Sequence, residues 1–591
     1  MRTRKSRDRS RLIAAAMQQI PCDLTIENVK LVNVFTGEVY PAAVDVLDGY
    51  VVRVREEGET TEAPSAQTYD GHGAYLIPGF IDTHMHVEST MMIPENLGRA
   101  ILPWGTTTVC TDPHEIGNVT GIEGVKFMLK NAKKAALRQY VLAPSCVPAV
   151  PGVEGAGASF GAKEVGELLD LPDVVGIAEI MDFVGVYKDN ERMHTIIAEG
   201  DRRGMFLQGH APLVHGKELA AYRLGGPISD HECNTPGEVG EKLRAGMHIN
   251  LRASSIVDNL PVLLEGCKGH KWRDNVSICT DDVHAKDLLE TGHINAVFAK
   301  AVKWGADPVE AVKWGTINAA REYGFDDLGA IAPGYIADMQ LVDELDGRRP
   351  NAVFLEGQLV AENGVYLAQD PEDNEELTFP NTVNMPQITC EEDFRLKAPE
   401  GCGDSVKTCV IYLEKDGNRR RSVWIELPVK DGYVSLEGHD DLQYCCIANR
   451  YGSGDKTVAV IKDFGLKEGA VASTVSHDSH NFTVMYKDPA DALAAAKELA
   501  RVGGGMCAVR DGKVLDTLCL PVGGLMSPLP CAPLSEEIRR VQEAMAGLLS
   551  KKGSLLMVAV FALPVVPGIV VTDKGLVNGF TQQIVSQFDL N

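Results

Sequence analysis

Pro78-Gly79-Phe80-Ile81-Asp82-Thr83-His84-Met85-His86 is the stretch that decides the fold. An apolar run, Tyr75–Ile81, leads into two histidines one residue apart. If the run is a strand, alternate side chains share a face, so His84 and His86 point the same way. Paired imidazoles at the end of a buried strand suit a divalent metal. Two surface histidines beside a turn are the plainer alternative, and the downstream sequence has to choose between them.

Working outward, seven more short apolar runs follow: Thr106–Thr111, Tyr140–Pro144, Val174–Glu179, Met205–Gln208, Ile228–Asp230, His248–Arg252 and Val276–Thr280. Segments such as GVKFMLKNAKKAALRQ and TPGEVGEKLRAG separate them and carry helical periodicity. Strands alternating with helices predict an α/β fold with a parallel sheet, and eight repeats predict a (β/α)8 TIM-like barrel over 76–328. The runs end in HMH, TDPHE, PS, EIMD, GH, DHE, RAS and TDD. Chemically capable residues thus collect at the strand ends where such barrels place their active sites.

The flanks read differently. Residues 23–75 and 329–365 share a strand-and-turn texture and predict one small composite β domain. Residues 366–395 form an acidic, proline-containing linker, and 396–591 a C-terminal α/β domain. Residues 1–22 are a basic leader into a first helix. The apolar run SLLMVAVFALPVVPGIVV, broken by Pro564 and Pro567, reads as core. A net charge of -25 over 591 residues argues against general affinity for nucleic acid or anionic membrane. The 14 cysteines include no CxxC pair, so zinc-ribbon and thioredoxin readings lack support and a reducing compartment is expected. With the apolar run broken by Pro564 and Pro567 no membrane span is expected, and no signal-peptide segment follows the basic start, so the expected location is the cytoplasm.

Six metal-competent side chains fall on five strand ends: His84 and His86, Glu179, His210, His231 and Asp281. Each has an ordinary explanation alone, but together they exceed one tetrahedral ion with an open position. Two ions bridged by Glu179 and a water fit better, with His84, His86 and Asp281 on one and His210 and His231 on the other. Such a water gives hydroxide near neutral pH, and Asp281 is placed to carry its remaining proton to a leaving amine. The expected reaction is hydrolysis at an sp2 carbon, an amide-type carbonyl or an amidine-type C–NH2. His86-Val87-Glu88 imitates the HxE of cytidine-type deaminases, but their PCxxC half is absent.

The strings HMHVESTMM, LPWGTTTVCTDPHEIGNVTG, SCVPAV, GIAEIMDF, GHAP, DHE, CTDD, GHIN and GAIAPGYIAD, with GLKEGAVASTVSHDSHN, LPVGGLMS and FALPVVP further on, resemble bacterial adenine deaminases of the amidohydrolase superfamily. The resemblance spans about residues 23–580. It implies conversion of adenine to hypoxanthine and ammonia in purine salvage, on two divalent ions, usually Mn2+ or Fe2+ with Zn2+ as another option. It implies a bridging role for Glu179 where other superfamily members use a carboxylated lysine, and a ligand and proton-shuttle role for Asp281. It implies catalytic or proton-relay roles for Asp112, His114 and Glu115, substrate contacts for Glu88, Arg252 and Asp282, and a homodimer. Asp112 before Pro113 also suits a turn, and Glu88 a helix cap. Three positions depart from the family: Ala253 stands in its REGS string, Val283 after TDD, and Gln208 before GHAP. Ala253 and Val283 leave open another aminopurine or a pterin. His477, Asp478 and His480 form a second polar cluster, either closing over the barrel mouth or bonding within the C-terminal domain.

Overall fold

The computed structural model describes residues 7–56, 58–371, 377–413, 420–550, 561–566 and 568–590. Much of the apolar run at 554–571 therefore lies outside the described residues. The leader enters a helix at Arg9–Ala16.

The opening run divides in two. Tyr75–Pro78 pairs with Leu24–Val32 and Met339–Val342 in a nine-stranded sheet drawn from residues 24–78 and 339–366. Phe80–Met85 instead begins a curled parallel sheet. Gly79 makes the changeover, and a Cβ there would lie 2.3 Å from Thr107 Oγ1, so only glycine allows the approach. The expected domain edge at 75 falls inside one strand of the outer sheet for this reason.

The parallel strands are Phe80–Met85, Thr106–Thr111, Arg138–Ala143, Val174–Ile180 and Phe206–Gly209 in one arc, and Ser229–Asp230, His248–Arg252 and Val276–Cys279 in a second. The arcs touch at both seams. Met85 bridges Asp281 in parallel, with Asp281 N–H donating to His84 O at 2.9 Å. Ile228 N–H donates to Leu207 O at 3.0 Å. At that second seam a Cβ on Gly209 would meet Ser229 O at 2.0 Å. The helix expected across 124–139 stops at Ala132, because the last residues of that segment are drawn into the strand Arg138–Ala143. The second expected helix forms at Pro236–Arg244, capped by Thr235.

Downstream, ten strands from Ser405 to Asp589 make a mixed sheet, flanked by helices Pro489–Val502 and Cys531–Leu548. This sheet is not a separate body. Met91, Met92, Ile93 and Leu97, just past the first parallel strand, share one buried apolar cluster with Val522, Leu525, Met526 and Leu534. Ser527 N–H donates to Met91 O at 2.7 Å, and Asn96 Nδ2 to Pro528 O at 2.8 Å. Burial of this shared cluster fixes the C-terminal sheet over the ends of the parallel strands. No described helix is long and apolar enough to cross a membrane.

Candidate active site

Hydrogen bonds behind the HxH pair set its tautomers. Gln208 Nε2 donates to Thr83 O at 3.1 Å, which turns Gln208 Oε1 toward His84 Nδ1 at 3.0 Å. His86 Nδ1 lies 3.1 Å from the carbonyl of Asp112. Both acceptors require N–H at Nδ1, so each neutral ring keeps its lone pair on Nε2. Those lone pairs face carboxylates. Asp281 Oδ1 is 3.3 Å from both His84 Nε2 and His86 Nε2, and Glu179 Oε1 is 3.4 Å from His86 Nε2. Glu179 Oε2 turns the other way, 2.5 Å from His210 Nδ1 and 3.2 Å from His231 Nε2.

Every one of these six groups is buried. Burial alone would lower proton affinity at His86, yet Asp281 and Glu179 hold it well above the ordinary imidazole value. Burial would likewise raise Glu179, but His210 and His231 keep it well below the carboxylate range. The cluster thus calls for positive charge among lone pairs. Among the described residues, buried His84 Nε2 and His231 Nδ1 have no hydrogen-bond partner. The donor set, imidazoles plus carboxylates, is chemically suited to divalent ions. The residues present fit the expected metals.

Asp281 sits in the left-handed region at φ 61°, which aspartate tolerates better than most residues. Its Oδ2 accepts from Arg252 Nη1 at 2.8 Å, and the same nitrogen contacts Glu232 Oε1. Behind His210 and His231 lies a buried lysine. Lys242 Nζ donates to Ala211 O at 2.6 Å, Asp230 Oδ2 at 2.9 Å and Glu238 Oε1 at 2.7 Å. All three ammonium protons are used, and they tie the loop after the fifth strand to the sixth strand and the helix that follows it.

A cavity of about 450 Å³ opens over this floor. His86, His114, Glu115, Glu179, His210, His231, Arg252, Asp281 and Asp282 line it. Asp112 and Glu88 do not. Asp112 stands behind His114, accepting from its backbone N–H at 3.0 Å and facing its Nδ1 at 3.0 Å. Glu88 Oε1 accepts from Ile116 N–H at 3.1 Å, so it caps the helix His114–Thr120. Burial and the neighbouring Glu115 push Glu88 up to about 8. Ala253 and Val283, the family departures, are also off the wall: each is buried in an apolar cluster.

The C-terminal domain supplies the roof. His477, Asp478, Arg420, Leu563 and Val566 line the same cavity. Asp478 Oδ1 is 3.6 Å from His114 Nε2, and His477 Nδ1 is 3.3 Å from Glu115 Oε1. The second polar cluster therefore meets the strand-end groups rather than bonding only within its own domain. Burial would lower His477, but Glu115 and Asp478 raise it to about 9. Sequence reasoning missed Glu232 and Arg420 as wall residues. Glu232 had a signal, being next to His231 in DHE; Arg420 had none.

The family models agree with this division of labour. The amidohydrolase family matches residues 75–360, and the adenine deaminase C-terminal domain matches residues 419–583. Adenine deaminase 2 of Carboxydothermus hydrogenoformans is 39% identical over 582 residues, covering 97% of this chain and 98% of that protein. The chain belongs to the adenine deaminase family. Adenine deaminase of Desulfatibacillum aliphaticivorans is 38% identical, covering 98% and 99%, and that of Bacillus pumilus 35%, covering 95% and 96%. Membership thus extends across the strand-end groups, the cavity and the roof that closes it.

Proposed function

We propose that this chain is a hydrolase that converts adenine and water to hypoxanthine and ammonia. The observation that carries the reading is the roofed cavity over six buried metal-competent groups, in a chain similar over nearly its whole length to adenine deaminases. His84, His86, Glu179, His210, His231 and Asp281 would hold two divalent ions, of which Mn2+ or Fe2+ suits the mixed nitrogen and oxygen donors, with Zn2+ as an option. Bound there, the ions would ease deprotonation of water and stabilise charge developing at the attacked carbon.

The protein's own groups handle protons and orientation. Water oxygen joins C6 as one water proton passes to N1, and the C6–N6 bond breaks as the other reaches N6, which leaves as ammonia. Asp281 takes the water proton and delivers it to N6, with Arg252 fixing its carboxylate from the side at 2.8 Å. Glu115, in the cavity wall, serves the ring edge at N1. Asp112 orients His114, and Asp282 borders the ring. Water is kept from the site by the roof of Leu563, Val566 and His477.

The finer architecture belongs to the same proposal. The eight parallel strands close as a (β/α)8 barrel, supported by the hydrogen bonds at both seams. The domains follow the sequence divisions, with the first edge moved from 75 to 79. A cytoplasmic homodimer working in purine salvage completes the reading.

The test is ammonia release from adenine, adenosine, other aminopurines and a pterin, using protein loaded with Mn2+ and with Fe2+. Rapid turnover of adenine is expected. Silence on adenine with turnover of another ring would overturn the substrate while leaving the metal site standing.

A further inference from the structure

Beyond the metal floor, the described residues hold a second set of imidazole and carboxylate groups, buried Glu115 and His480 with half-buried His477, whose ligand-type atoms lie within 4.8 Å of one another. Residue types alone would make it a third cation site. The hydrogen-bond partner of His480 Nδ1 argues against that. His480 is fully buried, and its Nδ1 accepts from the backbone N–H of Ser476 at 3.2 Å. An acceptor at Nδ1 carries no proton, so the neutral ring carries its proton on Nε2. A nitrogen bearing hydrogen has no lone pair for a metal.

That Nε2–H faces Glu115 Oε2 at 3.8 Å. Among the described residues neither atom has a hydrogen-bond partner, and both are buried. A buried donor and a buried acceptor left unmet are each costly, and a shift of under about 1 Å that brings them together would satisfy both. Burial, with His477 and Arg450 close by, keeps His480 far below the ordinary imidazole range, so it stays neutral in this place. The backbone holding it is tied down: His480 N–H donates to Ser476 O at 2.8 Å, Tyr451 Oη to Ser479 O at 2.6 Å, and Asn481 Nδ2 to Gly155 O at 2.7 Å. The last bond reaches across to the chain that carries the parallel strands. From the opposite side Ser89 Oγ lies 3.3 Å from Glu115 Oε1, with Asp282 Oδ1 the nearer acceptor for its single proton at 2.5 Å.

We propose that His480 is a positioning residue for the deaminase reaction: its fixed Nε2–H, brought by the C-terminal domain, orients the Glu115 carboxyl toward the substrate ring. The inference rests on the reading of Glu115 as a group that meets adenine. The C-terminal domain is then a working part of the site, since a strand-end carboxyl takes its orientation from a loop about 360 residues downstream.

The experiment compares H480N and H480Q in the metal-loaded full chain. Asparagine keeps an acceptor at the δ position for Ser476 and removes the ε donor; glutamine keeps an ε donor. H480N is expected to lower kcat on adenine about tenfold or more with KM changed less than about threefold, and H480Q to recover most of it. In an E115A background H480N is expected to add nothing. An equal loss in that background would overturn the proposal. So would a third equivalent of Mn2+ bound by the wild type and lost in H480N. Histidine 15N spectra of the wild type, with H480N giving the assignment and H480Q replacing it if H480N does not fold, read the tautomer without any turnover. A protonated Nδ1 at His480 overturns the proposal, and a protonated Nε2 supports it even if adenine is not the substrate.

Discussion

Floor and roof of the cavity are built from the same residue types, yet they are wired oppositely. On the floor, His84 and His86 use Nδ1–H to bond outward to Gln208 and the Asp112 carbonyl, leaving lone pairs against Asp281 and Glu179. Behind the roof residues His477 and Asp478, His480 spends its Nδ1 lone pair on a backbone N–H and turns Nε2–H toward Glu115. Lone pairs facing carboxylates need a cation between them; an N–H facing a carboxylate needs nothing. Counting histidines and acids does not separate a metal site from a hydrogen-bonded one, whereas the partners of the second ring nitrogen do.

The floor can be broken most severely at Glu179, which faces both halves of the metal set. Glu179→Ala should lower kcat/KM by ~10⁴-fold or more, about 5 kcal/mol of barrier, with loss of metal measured by elemental analysis. Full activity with metal retained would sink the bridged reading.

Lys242→Met should come next. It strands the buried Asp230 and Glu238 carboxylates, which meet the ammonium at 2.9 and 2.7 Å. The expected cost is about 3–5 kcal/mol, read from denaturant unfolding. A variant as stable as the wild type would show that the knot behind His210 and His231 carries no load.

Gln208→Ala should act more gently, by freeing His84 Nδ1 from its acceptor. Metal affinity should fall ~10–100-fold in titrations of the apoprotein, while the roof stays intact. An unchanged affinity would separate the tautomer argument from metal binding.

The last test lies below the floor. Glu322 accepts from Asn250 at 2.9 Å and from Ser277 at 2.9 Å, and burial lifts it from 4.5 to about 8. Its raised folded-state value means the folded chain holds a proton that the unfolded chain releases. Stability therefore falls as pH rises from 4.5 to about 8, by no more than ~1.4 kcal/mol per unit. Glu322→Gln should remove that slope, so the variant gains on the wild type between about pH 5 and about pH 7.5 in urea midpoints. Parallel curves would place the proton elsewhere.

Much of this was legible in the chain. The HxH spacing, the polar ends of eight short runs and the strand texture shared by 23–75 and 329–365 are local patterns, and period-2 alternation projects them onto faces without knowledge of the rest. Glu88 and Asp112 show where that projection stops. Their strings are specific, yet one caps a helix and the other backs a histidine, since a string does not say which of two neighbouring carboxyls reaches the cavity.

The sequence by itself singled out the six metal-competent groups, the family and the reaction class, because ligand chemistry belongs to residue types and strand-end positions. Only the tertiary structure decided that His477, Asp478 and His480 sit over Glu115 and His114. That placement comes from an apolar cluster shared between segments some 430 residues apart, Met92 with Met526 among them. Burial of apolar surface has no sequence register of its own, so the roof appears only when the two faces are packed together.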